Sequence, residues 1–155
     1  MSGTASGRRQ ARAELDDVVA QRLRGAGQRV TAPRTALVDV LARAKRPLTI
    51  PELQQRSPGL ATSSAYRNLG VLEEVGVVHR IVTNGDHARY ELAEDLTEHH
   101  HHLICSSCGS VTDVPASSRL EESMARAAAE IARSTGFQTQ QHRVDLVGLC
   151  ARCRT

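Results

Sequence analysis

The chain has 155 residues and a mass of 16.8 kDa, enough for one domain or two small ones sharing a core. Hydrophobic residues make up 40 % and aromatics 2 %, with no Trp and one Phe, so a core must be built from Leu, Val, Ile and Ala. Apolar runs fall well short of the ~18 residues of a membrane span, and the arginines of MSGTASGRRQAR lead into no apolar segment, which argues against a secretory signal. The expected location is cytoplasmic, where cysteines stay reduced. The net charge of +3 is uneven: residues 1–85 carry 13 Lys+Arg against 7 Asp+Glu (+6), and residues 86–155 carry 7 against 10 (−3). A basic first half and an acidic, His/Cys-rich second half point to a division of labour.

Residues 1–12 read as a disordered arm. From there AELDDVVAQRLR spaces Leu15, Val18, Val19 and Leu23 at helical intervals, with Gly25 and Gly27 to end the helix. In RVTAPRTALVDVLARA, Thr31 is the expected N-cap and Pro33 lies in the first turn, with Val30, Leu37, Val40 and Leu41 as the apolar face. After Pro47, Thr49 caps a short helix with Pro51 in its first turn. Ser63 or Ser64 is expected to cap the next, AYRNLGVLEEVG, which buries Ala65, Leu69, Leu72 and Val75 and stops at Gly76. Three short helices of this kind are the helix-turn-helix pattern. VVHRIVTNGDHARYEL adds two β-prone runs around Asn84-Gly85, a hairpin signal. Helix-turn-helix plus hairpin predicts a winged helix over residues 13–93.

Residues 94–155 have a different character. HHHHLIC and SVTDV read as two strands joined at a knuckle, SSRLEESMARAAAEIARSTG as an amphipathic helix capped by Ser117 or Ser118 and ended by Gly136, and HRVDLVGLC as a third strand. This small α/β unit is too short to bury much surface alone, so a dimer interface is expected. The fold class is therefore α+β: an N-terminal winged helix-turn-helix domain followed by a small α/β dimerisation domain.

All four cysteines fall in two CxxC knuckles, Cys105/Cys108 and Cys150/Cys153. Each brings two thiolates to one side of a turn, and together they complete a tetrahedral S₄ shell that selects a structural zinc. The histidines separate by parity, because alternate side chains of a strand leave opposite faces. His100 and His102 share one face, for which His79 and Glu91 on the wing are available partners. His99 and His101 share the other, with Glu121 and His142 available. Each set is three nitrogens and one carboxylate, suited to tetrahedral zinc. Glu122 competes with Glu121, and His87 and Asp113 are lesser candidates.

RVTAPR, SSAYRNL, RYEL, HHHHLICSSCG and the closing H-x-x-x-L-x-G-x-C-x-x-C, in this order, resemble the ferric uptake regulator family of metal-sensing bacterial repressors, over essentially the whole chain after residue 12. The resemblance implies a winged helix that binds a palindromic double-stranded operator, a C-terminal domain that forms the homodimer, and a regulatory divalent metal that sets the DNA-competent shape. It implies DNA contacts from Ser64, Tyr66 and Arg67 on the recognition helix and from Arg29 near the minor groove. It also matches Glu91, His100 and His102 to the regulatory set and His99, His101, Glu121 and His142 to a second set. The chain departs from the family pattern in lacking a histidine in AKRPLT, for which His79 is the expected replacement, and in lacking the cysteine that zinc sensors often have after RYE, with Ala93 nearby instead.

The expected function is a zinc-uptake repressor, with an iron-, nickel- or peroxide-sensing member of the family as the alternative; the expected regulatory metal is Zn²⁺, alternatively Fe²⁺, Ni²⁺ or Mn²⁺. A zinc metalloenzyme is the reading from another class. It lacks H-E-x-x-H, G-x-S-x-G and a phosphate loop. A zinc-ribbon interaction module would leave the first 85 residues and the surplus histidines without a role.

Overall fold

The computed structural model describes residues 3–44, 46–83 and 88–154. The chain divides into two compact units, Met1–Glu98 and His99–Thr155.

The first unit runs α1 (Gly3–Gly25), α2 (Ala32–Arg43), β1 (Leu48–Thr49), α3 (Ile50–Arg56), α4 (Thr62–Glu74), β2 (Val78–Ile81), β3 (Arg89–Leu92) and a 3₁₀ turn, Glu94–Leu96. Helix α1 starts at Gly3, ten residues ahead of the expected start, so most of the expected arm is helical. Ala, Arg and Gln favour helix there, and Arg12 pairs with Asp16 one turn on (2.8 Å) and with Asp39 of α2. At α2, Thr31 is the N-cap and a proline lies in the first turn, as expected. The buried residues are Leu37, Val38 and Leu41, whereas Val30 precedes the helix and is 47 % exposed.

At α3 the cap is reciprocal: Glu52 N–H donates to the Thr49 hydroxyl, and the Glu52 carboxylate accepts from Thr49 N–H at 2.8 Å. Arg46 (2.6 Å) and Arg89 (3.4 Å) reach the same carboxylate. Burial pushes the Glu52 pKa up, but the hydrogen bonds from Arg46 and Thr49 outweigh it and hold the group at about 2. Helix α4 begins at Thr62 with Ala61 as N-cap, so Ser63 and Ser64 lie inside its first turn instead of capping it. It buries Ala65, Leu69 and Leu72, and Gly76 turns the chain away at φ 71°.

Strands β2 and β3 pair antiparallel, with β1 on the far side of β3. This two-residue strand has no hydrophobic alternation to announce it. The expected Asn84-Gly85 turn and His87 lie outside the described residues. Leu23, Leu37, Leu48, Leu53, Leu69 and Leu72 are fully buried, each contributing roughly 1.5–3 kcal/mol of apolar transfer. Helices packed on an antiparallel hairpin with a third short strand make this unit a winged helix.

The second unit holds β4 (His100–Cys105), β5 (Val111–Pro115), α5 (Ser118–Thr135) and β6 (Asp145–Gly148), in sheet order β5-β4-β6. β4 and β5 are antiparallel, joined at the first cysteine knuckle. α5 then crosses over so that β6 returns parallel to β4. Ser117 accepts from Leu120 N–H at the start of α5, and Gly136 ends it at φ 72°. No side chain of α5 is buried within the single chain. Leu146, Val147 and Leu149, on and just after β6, are all more than half exposed. No helix among the described residues is long and apolar enough to cross a membrane.

Candidate metal centres and DNA-reading surface

β4 ends at Cys105, and the chain turns through Cys108. β6 ends just before Cys150, and Cys153 follows in the next turn. Ser106 N–H donates to Gly148 O (2.8 Å) and Cys150 N–H to Cys105 Sγ (3.3 Å), which ties the two knuckles together. The ligand atoms of all four cysteines lie within 4.8 Å of one another. Cys108 Sγ and Cys150 Sγ are 3.9 Å apart, close to the ~3.8 Å between thiolates around a tetrahedral zinc with ~2.3 Å bonds. No pair is joined as a disulfide. Backbone N–H groups of Cys108 and Cys150 lower the Cys105 pKa to about 6 against the opposing effect of burial. The neighbouring sulfurs of Cys150 and Cys108 push Cys153 up to about 11, so the charge of the metal-free cluster gathers on Cys105. The donor set fits zinc, and these residues would hold it.

The expected parity of the histidine run is present. His99 and His101 meet edge to face at 4.9 Å, and His100 and His102 at 5.1 Å. On the first face, His99 Nε2 (3.1 Å), His101 Nε2 (2.8 Å) and His142 Nε2 (3.0 Å) converge on the Glu121 carboxylate. His142 Nε2 is close to that carboxylate but badly angled, and it has no hydrogen-bond partner among the described residues although buried. A buried nitrogen left this way is costly, and an ion at the convergence point would satisfy it. Burial raises the Glu121 pKa, but the hydrogen bond with His101 and the nearby histidine charges bring it below the ordinary carboxylate value. Glu121 is thus the carboxylate that the three histidines meet, and Glu122, one residue on, is exposed.

On the other face the second unit brings together His100, His102 and Asp113, with ligand atoms within 4.8 Å. Asp113, a lesser candidate from sequence, is the register partner of His102 on β5. The within-unit set is thus two nitrogens and a carboxylate. His79 and Glu91, expected in the same set, are register partners on β2 and β3 of the first unit, so their side chains leave the same face of the wing. Asp145, singled out by no motif, lies on the opposite side of His102: its Oδ1 is 3.0 Å from His102 Nδ1. The only trace of it in the sequence is a carboxylate inside an apolar strand.

The expected DNA-reading residues cluster on the first unit. Tyr66 (58 % exposed) and Arg67 project from α4 on the side away from Ala65 and Leu69, and Ser64 is half-buried one turn before Asn68. Arg29 is exposed in the turn before α2. Arg34, which sequence reasoning missed, links these parts. It donates to the Arg29 carbonyl and, at 3.2 Å, to Asn68 Oδ1, while Asn68 Nδ2 donates to the Ser64 carbonyl (2.8 Å).

The ferric uptake regulator family model matches residues 25–147. The peroxide-responsive repressor PerR of Staphylococcus aureus (strain USA300) is 29 % identical over 147 residues, covering 91 % of this chain and 92 % of the relative. The ferric uptake regulator of Helicobacter pylori, whose structure is described as revealing three functional metal binding sites, superposes with a TM-score of 0.71 at 24 % identity, over 92 % of this chain and 93 % of that one. The ferric uptake regulator of Pseudomonas aeruginosa, solved with manganese, does so with 0.66 at 27 % identity, over 86 % and 98 %. These relatives are named for peroxide and iron, not for zinc uptake. The family match spans the winged helix and most of the second unit, and on that ground the chain belongs to the ferric uptake regulator family.

Proposed function

We propose that this chain is a metal-responsive transcriptional repressor that binds a palindromic operator as a homodimer, with iron or manganese as its regulatory metal. Tyr66 and Arg67 would read the major groove and Arg29 the backbone or minor groove. The exposed apolar residues of β6 would be covered by a second copy. Cys105, Cys108, Cys150 and Cys153 would hold a structural zinc. His100, His102 and Asp113 would hold the regulatory ion, with His79 and Glu91 as the contributors that the sequence indicates from the wing.

The observation that carries the choice of metal is Asp113 beside His100 and His102. Each added carboxylate oxygen moves a site away from an imidazole-rich zinc or nickel centre towards iron or manganese. The ferric uptake regulator of Pseudomonas aeruginosa, solved with manganese, supports the same reading. A zinc-uptake repressor is the second reading, supported by the three nitrogens and one carboxylate of His99, His101, His142 and Glu121. In either reading the ligand residues favour the ion in the DNA-competent conformation, a coupling of typically about 1–3 kcal/mol.

The test uses duplex DNA enriched from a random pool by the metal-loaded protein. Affinity for it is measured at one salt concentration after chelation, then with iron(II), manganese(II), zinc or nickel added back. Tightening by iron or manganese, on the order of 5–150-fold, supports the proposal. Tightening by zinc alone supports the second reading. DNA binding indifferent to every metal overturns both.

A further inference from the structure

We infer that Asp145 is a positioning residue for the regulatory site: it accepts the Nδ1–H of His102 and so fixes the tautomer that presents an unprotonated Nε2 to the metal. The inference rests on reading His102 as a regulatory ligand. His102 is only 5 % exposed, so water cannot readily orient its ring. Its two nitrogens face different partners. Nδ1 is 3.0 Å from Asp145 Oδ1, and Nε2 is 4.0 Å from Asp113 Oδ1, on the side where His100 and Asp113 converge.

A neutral imidazole has one N–H and one lone pair, and a carboxylate can only accept. A carboxylate fixed at Nδ1 therefore requires the proton there and leaves the lone pair on Nε2. It also makes that lone pair a stronger donor to a metal, as carboxylates behind metal-bound histidines do. The backbone holds Asp145 in place, because it is the register partner of His102 in the parallel β4–β6 ladder. Arg143 Nη2, at 3.5 Å from the other carboxylate oxygen, steadies the side chain.

The experiment uses the full chain carrying its structural metal, with Co²⁺ as the spectroscopic probe, and compares the parent with Asp145→Ala, Asp145→Asn and His102→Ala. Histidine ¹⁵N spectra of the protein before Co²⁺ addition, at about pH 8 where free imidazole is neutral, report the His102 tautomer. The parent should show Nδ1–H. Asp145→Ala should lose that preference and bind Co²⁺ about 10–100-fold more weakly at the site whose absorption His102→Ala removes. Asp145→Asn, which keeps an acceptor oxygen, should recover most of both readouts; it also serves if the alanine variant fails to fold.

An Nε2–H tautomer in the parent, or parent-like Co²⁺ binding by Asp145→Ala, overturns the inference while leaving His102 a ligand. Loss of Co²⁺ in Asp145→Asn as complete as in His102→Ala makes Asp145 a ligand itself and also overturns it. If His102→Ala binds Co²⁺ like the parent, the regulatory reading fails, and the inference with it.

Discussion

Asp113 is the register partner of His102 across the β4–β5 ladder, and its carboxylate comes within 4.0 Å of His102 Nε2. Its ligand atom lies within 4.8 Å of those of His100 and His102. A cation held by the three would lose its one charged ligand of this set with Asp113. Asp113→Ala should therefore weaken the regulatory metal by about tenfold or more, judging from the 10–100-fold losses seen even for residues behind the ligands. The cysteine centre and the Glu121 centre should keep their metal. Titration with manganese, alongside total metal content, checks both; unchanged manganese affinity would remove Asp113 from the site.

The Glu121 centre separates two adjacent carboxylates. Three histidine Nε2 atoms lie within 3.1 Å of the Glu121 carboxylate, and Glu122 is exposed. Glu121→Ala should cost one bound metal per chain and Glu122→Ala none. Equal loss from both, measured as metal content after dialysis, would contradict the placement of α5.

Much of this was legible beforehand. The parity of His99–His102 follows from the two-residue period of a strand, and the two CxxC knuckles from their spacing. Which carboxylate meets which histidine was not legible, because that depends on strand register. Asp113 and Asp145 reach His102 from opposite sides only because β5 and β6 flank β4. Local pattern failed similarly at α2: Val30 fits the apolar spacing, but the helix begins after Thr31, so Val38 is buried and Val30 is not. β1 is too short to leave any periodic trace.

Glu52 gives a pH signature to the winged helix. Its pKa is about 2 in the folded chain against an ordinary value of 4.5. The bonds it accepts from Thr49, Arg46 and Arg89 thus stabilise the fold fully above about 4.5 and are lost as pH falls through about 2. Glu52→Gln should cost about 1 kcal/mol near neutral pH, the usual scale of a lost cap, or roughly 4–8 °C in melting temperature for a unit this size. The difference from the parent should shrink as pH falls from about 4.5 towards 2. A melting difference that does not change with pH would show that the loss is one of packing and not of charge.

Cys150 sits where three features meet. It is two residues beyond β6, its N–H donates to Cys105 Sγ at 3.3 Å, and its Sγ is 3.9 Å from that of Cys108. A structural metal there would clamp β6 against β4. β6 carries Leu146 and Val147, whose exposed side chains are the expected dimer surface, and Asp145, which holds His102. α5 contributes no buried side chain, so in the single chain β6 is held by its ladder with β4, by the His102–Asp145 contact and by this clamp. Cys150→Ser should therefore remove the structural zinc, lower the mass in solution from dimer towards monomer, and weaken Co²⁺ binding at His102 in the same preparation. Metal content, light scattering and the Co²⁺ titration read these three effects separately. A variant without zinc that stays a dimer and binds Co²⁺ like the parent would show that β6 keeps its register without the clamp, and that the cysteine centre supports neither the dimer nor the sensor.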